Sequence, residues 1–486
     1  MKRSRKNDVA IVLFLICGVL GFLLYYQEGS MIRVFGGSTP ATAKPPPLVS
    51  ACTSYREYPF PKHHTGLPYL ADAFASHNAQ YVTFVGINRG KCSEEWKLAD
   101  SFATFHDPEY HRFMCIFKSG SGSRTHVLSD FIHSPGSHDP IYLIQCKIPK
   151  QFQELILPGQ DTTTLHVDLH AMEDMELPKL GQHHQRLYNS TEVDLTPAVP
   201  DIPICHPAFP AEKKLKTKQF KLVGYLPITS NYALDSRKGE ENKTLWSSAH
   251  RLPEWIDYHK SQGFDHFIIY DNDKEPQGPI EQILQPYIAS GLVSYRWFPL
   301  ENCMSQTEHR RMDTAQIAGS LAAFHRLGFT THYFSYHDGD EYMVPLQDGK
   351  TVAQIAEAAM ERDPTLDALE WRPTVMTPCN GTKVQPGGSV LAKWKCLTDE
   401  HYADVKLILR VSSMFYFCIH YPVIAVGGRR PNAYRLNDTN EGFLAHYRPE
   451  NDPGGTRRDE YSGLVLNDYH DEVHYMDHFL QQRQSV

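Results

Sequence analysis

The stretch Thr331–Pro345, THYFSYHDGDEYMVP, sets a run rich in β-branched and aromatic residues directly against three carboxylates, Asp338, Asp340 and Glu341. The run reads as a strand. The acidic group then sits at its carboxyl end, the edge at which open α/β sheets bind ligands. Two aspartates separated by one small residue can offer hard oxygens to a divalent cation, with Gly339 letting the backbone turn beneath them, and the cation can hold a diphosphate. Asp and Gly are also the commonest turn formers, so an isolated Asp-x-Asp reads more readily as a solvated turn. Context decides between the two.

Working back from this stretch, strands and helices alternate. FKLVGYLPI (Phe220–Ile228) reads as a buried strand, and PEWIDYHKSQG (Pro253–Gly263) as a helix with Pro in its first turn and Gly past its end. FDHFIIYD is the next strand, PIEQILQPYIASG a helix bent at Pro286, and LVSYRWF the third strand. RRMDTAQIAGSLAAFHRLG is a longer helix leading into THYFSYHDGD. Such alternation implies βαβ units, right-handed crossovers and a parallel sheet with helices on both faces. Asp271-Asn272-Asp273, after IIY, and Asp338-Gly339-Asp340 would then open onto one crevice, and the solvated-turn reading becomes the weaker one.

The remainder of the 486-residue chain is long enough for further domains. A formal charge of −8, spread along the sequence, gives no case for nucleic-acid binding. Lys2, Arg3, Arg5 and Lys6 precede an uncharged apolar run of eighteen residues, Val9–Tyr26, near the lower limit for a membrane-spanning helix. Basic residues on its amino side place that end in the cytoplasm, and Tyr25 and Tyr26 fit an interfacial anchor better than a cleavage site. Gly, Ser, Thr and Pro then read as a stem. Sequons at Asn189, Asn242, Asn380 and Asn437 all follow the span. All ten cysteines except Cys17 would face an oxidising compartment, where pairing is expected and an odd number leaves one thiol over.

Between Cys52 and Lys150, short strand-like runs begin at Tyr81, His111, Thr125 and Ile141 and suggest a small β-sandwich. His166, Asp168 and His170 form H-x-D-x-H, a face that reads as metal-ligating or simply as the half-buried polar side of a strand. TPAVPDIPICHPAFP, Thr196–Pro210, reads as a domain boundary.

Several of these stretches resemble the family 92 glycosyltransferases, which include β-1,4-galactosyltransferases and galactan synthases. The matching segments are PEWIDYHKSQGFDHFIIYDND (Pro253–Asp273), the helix containing Gln316, HDGDEYMVP, the strand around Lys406 with His420 beyond it, and AHYR (Ala445–Arg448). The resemblance implies a GT-A type enzyme that binds UDP-galactose with Mn²⁺ and inverts the anomeric centre. It places Asp338, Asp340 and His446 at the metal, and Asp271, Asn272, Gln316 and Arg448 at the nucleotide, with His420 the rival of His446. The chain departs from the family pattern at Gly339, at Gly319-Ser320 where a polar Asn-Asp pair is expected, and after AHYR.

A single displacement needs a carboxylate to take the acceptor proton. Glu370 and Glu441 are the candidate catalytic bases, and each reads as well as a structural carboxylate. Trp371, beside Glu370, reads as a sugar-stacking or a core residue.

The fold expected is α/β: a GT-A type nucleotide-sugar-binding sheet with helices on both faces, preceded by a smaller β-rich domain and a single membrane span. The expected boundaries are 1–8 for a cytoplasmic tail, 9–26 for the anchor, 27–50 for the stem, 51–195 for the β-rich domain, 196–217 for the linker and 218–486 for the transferase domain. The expected partners are a UDP-sugar donor, a glycan acceptor and, through the one span, a membrane. The anchor together with the resemblance implies the Golgi membrane, single-pass type II, with the catalytic domain lumenal; short spans suit thinner membranes only as a tendency. A metal-dependent hydrolase and a non-catalytic, membrane-anchored glycan-binding protein are the competing classes.

Overall fold

A computed structural model describes residues 68–75, 80–88, 112–120, 122–133, 141–156, 165–172, 198–205, 220–228, 251–272, 278–298, 308–327, 330–377, 391, 396–401, 404–426 and 429–447.

The first eight strands are β1 (Pro68–Ala75), β2 (Tyr81–Asn88), β3 (Arg112–Ser119), β4 (Arg124–Leu128), β5 (Asp130–His133), β6 (Ile141–Lys147), β7 (Leu165–Met172) and β8 (Ala198–Pro203). They form two four-stranded sheets, β1-β2-β6-β5 and β4-β3-β7-β8. Between the sheets lies a core that includes Phe84, Phe113, Phe117, Ile144 and Leu169. A disulfide between Cys115 of β3 and Cys146 of β6 ties one sheet to the other within it. β8 falls in the proline-rich stretch expected as a linker and pairs instead with β7, so that stretch is partly a strand of the sandwich. The H-x-D-x-H face is taken up locally. Asp168 accepts from Lys118 and from Asp201 N, and His166 pairs with Asp201 at 3.0 Å.

The chain then builds a seven-stranded sheet from β9 (Phe220–Ile228), β10 (His266–Asp271), β11 (Val293–Trp297), β12 (Thr331–Tyr336), β14 (Ala368–Trp371), β17 (Lys406–Arg410) and β20 (Ala433–Arg435). Their order is β11-β10-β9-β12-β17-β14-β20. β9 pairs in parallel with β10 and β12, whereas β17 runs antiparallel to β12 and β14 on either side. The sheet is therefore mixed, not wholly parallel as the alternation suggested. A second sheet, β13-β21-β15-β16, is formed by β13 (Glu341–Pro345), β15 (Pro373–Thr377), β16 (Cys396–His401) and β21 (Gly442–His446). β18 (Met414–Phe417) and β19 (Pro422–Ala425) make a hairpin.

Helices cover both faces of the large sheet. On one face, α1 (Leu252–Ser261), α2 (Pro279–Ala289) and α4 (Val352–Arg362) share a core with the second sheet, centred on Trp255, Phe267, Met343 and Trp371. α1 carries Pro253 in its first turn, and Gly263 just beyond it takes φ +87°, as expected for a left-handed helix stop. On the other face, α3 (Glu308–Leu327) packs Ile317, Leu321 and Phe324 against Tyr225 and Phe334. The sandwich closes over α3, with Phe74, Val85 and Leu143 joining that core. Within this interface Asp72 of β1 accepts from Arg326 of α3 at 2.5 and 2.8 Å and from Arg296 of β11 at 3.3 Å.

Among the described residues, no helix is long and apolar enough to cross a membrane. This corrects the expected fold, membrane partner and location. The single span, the type II topology and the Golgi membrane placement have no support in the structure, and Val9–Tyr26 lies outside the described residues.

Candidate active site

β12 runs out at Tyr336, and the chain reverses through His337–Asp340 into β13. Glu341 N donates to Asp338 O at 3.1 Å to close the turn, and the Glu341 carboxylate returns to accept from Asp338 N at 2.8 Å. The turn's carbonyls are held from two other elements. The indole N–H of Trp255, on α1, is shared between Asp338 O at 3.1 Å and Glu341 O at 3.0 Å. Tyr447 N, just past β21, donates to Asp340 O at 2.8 Å. A loop whose carbonyls are fixed in this way is pre-organised, which is what an ion- or phosphate-binding turn requires.

The carboxylates have separate fates. Asp338 Oδ2 lies 2.7 Å from Lys406 Nζ, and Glu341 Oε2 lies 3.3 Å from the same ammonium. Lys406 is 2% exposed and sits over the Tyr336 ring at 5.0 Å. Burial alone would push its amine down, but Asp338 and then Glu341 reverse this and hold it above the ordinary lysine value. Burial raises the Glu341 carboxyl against the pull of Lys406.

Asp340 instead faces His446. Antiparallel pairing of β13 with β21 sets Glu341 opposite His446, and His446 Nε2 comes within 3.5 Å of Asp340 Oδ2. Burial pushes the Asp340 carboxyl up, but His446, with Arg251 and Lys406 beyond it, holds it below the ordinary value. The structure thus brings Asp338, Asp340 and His446 to one end of the second sheet. Among the described residues, no three His, Cys, Asp or Glu side chains are grouped so as to hold a metal ion. Asp338 is turned onto Lys406, leaving Asp340 and His446 as the adjacent oxygen and nitrogen donors.

Behind the turn is a buried file of rings. His337 Nε2 lies 3.0 Å from His259 Nε2, and His259 Nδ1 donates to Trp255 O at 2.9 Å. Burial pushes His259 down to about 3, against the Trp255 bond, and drives His337 well below the ordinary histidine value. Both rings are therefore neutral, and the file is support for the turn.

Asp271 and Asn272 lie at the carboxyl end of β10, two strands from β12 and so ~10 Å across the sheet. Asp271 is fully buried and accepts from the Tyr295 hydroxyl at 2.7 Å. Asn272 is buried, and its Oδ1 has no hydrogen-bond partner among the described residues. Gln316 accepts from the Tyr336 hydroxyl at 3.2 Å and stands behind the site on α3. Arg448 lies outside the described residues.

The two candidate bases part company. Glu441 immediately precedes β21, at the opposite end from His446, and holds a local turn by accepting from Asn437 N at 2.8 Å and from the Tyr434 hydroxyl at 2.7 Å. Glu370 lies near the end of β14 on the large sheet, 2.8 Å from Arg435 Nε. Trp371 is wholly buried against Gly442, where an added Cβ would come 2.6 Å from its ring, so it is a core residue. Gly319 also has a packing role. A side chain there would meet the Tyr225 hydroxyl beneath α3, a physical reason for the departure at Gly319-Ser320. His420 Nδ1 donates to Val405 O at 3.1 Å, which fixes its ring against the approach to β17.

Sequence reasoning missed the buried Lys406 clamp, the Trp255 indole and Arg251. A lysine directly before three apolar residues, in KLILR, was the signal for the first.

Residues 244–477, roughly half the chain, match the model of glycosyltransferase family 92. The protein is a glycosyltransferase-type enzyme, and the mixed sheet with its flanking helices is consistent with a GT-A-like build. The chain belongs to glycosyltransferase family 92. No curated protein matches the sequence. Among solved structures, TarS 1-349 of S. aureus is 13% identical with a TM-score of 0.23, over 46% of this chain and 60% of that one. The same TarS fragment in complex with UDP matches over 55% of this chain and 72% of that one, again at 13% identity and a TM-score of 0.23. HddC from Yersinia pseudotuberculosis is 10% identical with a TM-score of 0.24, over 47% of this chain and 93% of that one. Likenesses this distant carry no argument about substrate.

Proposed function

We infer that the chain transfers a hexose, galactose in the first instance, from a UDP-sugar to a glycan acceptor with inversion and with the help of a divalent cation such as Mn²⁺. The observation that carries this reading is the Asp340–His446 pair, 3.5 Å apart on a turn pinned by Trp255 and Tyr447. A hard carboxylate and a neutral imidazole form a donor set suited to Mn²⁺-like ions. When bound, the ion neutralises charge on the departing diphosphate.

The protein's own groups have distinct tasks in this reading. Asp338, oriented by Lys406, lines the diphosphate side of the turn. Asp271 and Asn272 stand where the nucleoside lies, and the unpartnered Oδ1 of Asn272 is an acceptor available to it. Glu370, at the end of β14 on the sheet edge that also carries the acidic turn, takes the acceptor proton as general base, whereas Glu441 stands at the far end of β21.

The test is turnover by the purified chain of a panel of UDP-sugars, with and without Mn²⁺ and with and without glycan acceptors. Acceptor-dependent, Mn²⁺-dependent release of UDP supports the reading. Release that is indifferent to acceptor makes the enzyme a hydrolase.

A further inference from the structure

Along one edge of the large sheet, β10, β12, β17, β14 and β20 present Asp271, the Asp338 turn, Lys406, Glu370 and Arg435 in that order. In the transferase reading, on which this inference rests, the first two belong to the donor. The edge beyond Lys406 is then left for the acceptor, and one feature there stands out.

Three consecutive residues leading into β17 tie this part of the edge to the acidic turn. Asp404 Oδ1 accepts from the Tyr421 hydroxyl at 3.0 Å, Val405 O accepts from His420 Nδ1 at 3.1 Å, and Lys406 Nζ donates to Asp338 at 2.7 Å. At strand spacing the first and third are ~7 Å apart. Tyr421 lies in the turn between β18 and β19, and its carbonyl accepts from Cys418 N at 2.9 Å. Backbone and hydroxyl are thus both fastened, yet the residue is 47% exposed. A lone exposed aromatic needs no explanation. Here, however, the residue is held through both its carbonyl and its hydroxyl, and the Glu370–Arg435 pair stands at the ends of β14 and β20, the next two strands along the edge from β17.

A pyranose has an apolar C–H face and a rim of hydroxyls. A fixed tyrosine ring bordered by carboxylates and a guanidinium matches both, since the ring offers an amphipathic surface and the charged groups offer strong acceptors and donors. We propose that Tyr421, Asp404 and the Glu370–Arg435 pair form the subsite for the acceptor sugar, a hexose of a glycan laid on the tyrosine face with its hydroxyls bonded to the flanking charges. Tyr421 is then a determinant of acceptor specificity, and the subsite stands about one sugar's reach from the acidic turn.

The experiment is initial-rate kinetics on the purified full chain with UDP-galactose as donor and p-nitrophenyl hexosides as acceptors, for wild type, Tyr421→Ala, Tyr421→Phe and Val426→Ala. Tyr421→Ala should raise the acceptor KM about tenfold, a loss of ~1.4 kcal/mol of binding, while the KM for UDP-galactose stays at the wild-type value. Tyr421→Phe keeps the ring and loses only the Asp404 bond, so its acceptor KM should rise less. Val426→Ala, exposed beside the same hairpin, should match wild type. An unchanged acceptor KM in Tyr421→Ala overturns this subsite alone. Absence of any UDP-sugar turnover in the wild-type chain overturns the transferase reading and the subsite with it.

Discussion

Lys406 Nζ lies 2.7 Å from Asp338 Oδ2 on a side chain that is otherwise sealed in the protein, so the first aspartate of the acidic turn is oriented by a buried cation. The same ammonium balances the buried Glu341. Replacing one partner of such a group strands the other charge, at a cost of about 3–5 kcal/mol. Lys406→Met should therefore lower the melting temperature at pH 7, and adding Glu341→Gln should restore part of the loss. The amine's folded value is raised, so its contribution is complete below the ordinary lysine value and is lost only as pH climbs through the higher one. Equal melting temperatures for wild type and Lys406→Met at pH 7 would remove the clamp from the account.

Trp255 reaches the turn through one indole N–H shared by two carbonyls. Trp255→Phe keeps most of the ring packing and deletes that donor. The expected loss is about 1–3 kcal/mol, together with a fall in UDP-sugar turnover larger than the change in stability would cause. Full turnover at a temperature where the variant is folded would show that the turn holds its shape without the indole.

Four buried histidines among the described residues lie far below the ordinary value of 6.5, each lowered chiefly by burial: His259 at about 3, His266 at about 4, His325 at about 4, and His337 well below the ordinary value. A depressed folded value means that the unfolded chain binds the extra proton first. The stability these rings contribute is complete above pH 6.5 and drains as pH falls towards the folded values. The slope is at most ~1.4 kcal/mol per pH unit for each ring. Denaturant unfolding between pH 7 and pH 4.5 should show this decline, and a flat profile down to pH 5 would contradict it.

The sandwich is held to the large sheet by Asp72. Burial pushes its carboxyl up, but Arg296 and Arg326 outweigh burial and keep it below the ordinary value of 3.8. Its contribution is complete above that value and is lost as pH falls through the folded one. Asp72→Asn leaves two guanidiniums without a counter-charge and should cost about 3–5 kcal/mol. Limited proteolysis of the variant should cut between sandwich and sheet sooner than in wild type. An unchanged digestion pattern would mean that apolar packing alone keeps the sandwich in place.

Legibility in the sequence tracks the range of the interactions. β9 and β10 are nearly continuous apolar runs, β12 is rich in β-branched and aromatic residues, and α1 carries its Pro and Gly at the proper ends, so these elements could be read locally. The direction of β17 could not, because KLILR reads the same whichever way it pairs. β8 was hidden by prolines that usually mark a break. At the site, Asp338, Asp340 and His446 were visible as residue types at a strand end and in a late motif. The split between them depends on Lys406, 68 residues beyond Asp338, and on the β13–β21 register. Glu441 could be read either as a base or as a structural carboxylate, because its partners Asn437 and Tyr434, which define a turn, are recognisable only in the fold.

The most direct measurement is calorimetric titration of UDP into the purified chain with and without Mn²⁺, for wild type, Asp340→Asn, His446→Ala and His420→Ala. UDP binding should require Mn²⁺ in wild type and in His420→Ala. Asp340→Asn and His446→Ala should lose affinity at least as much as the roughly 10- to 100-fold produced by removing an outer-shell partner of a metal ligand. Mn²⁺-independent UDP binding that survives Asp340→Asn unchanged would contradict this.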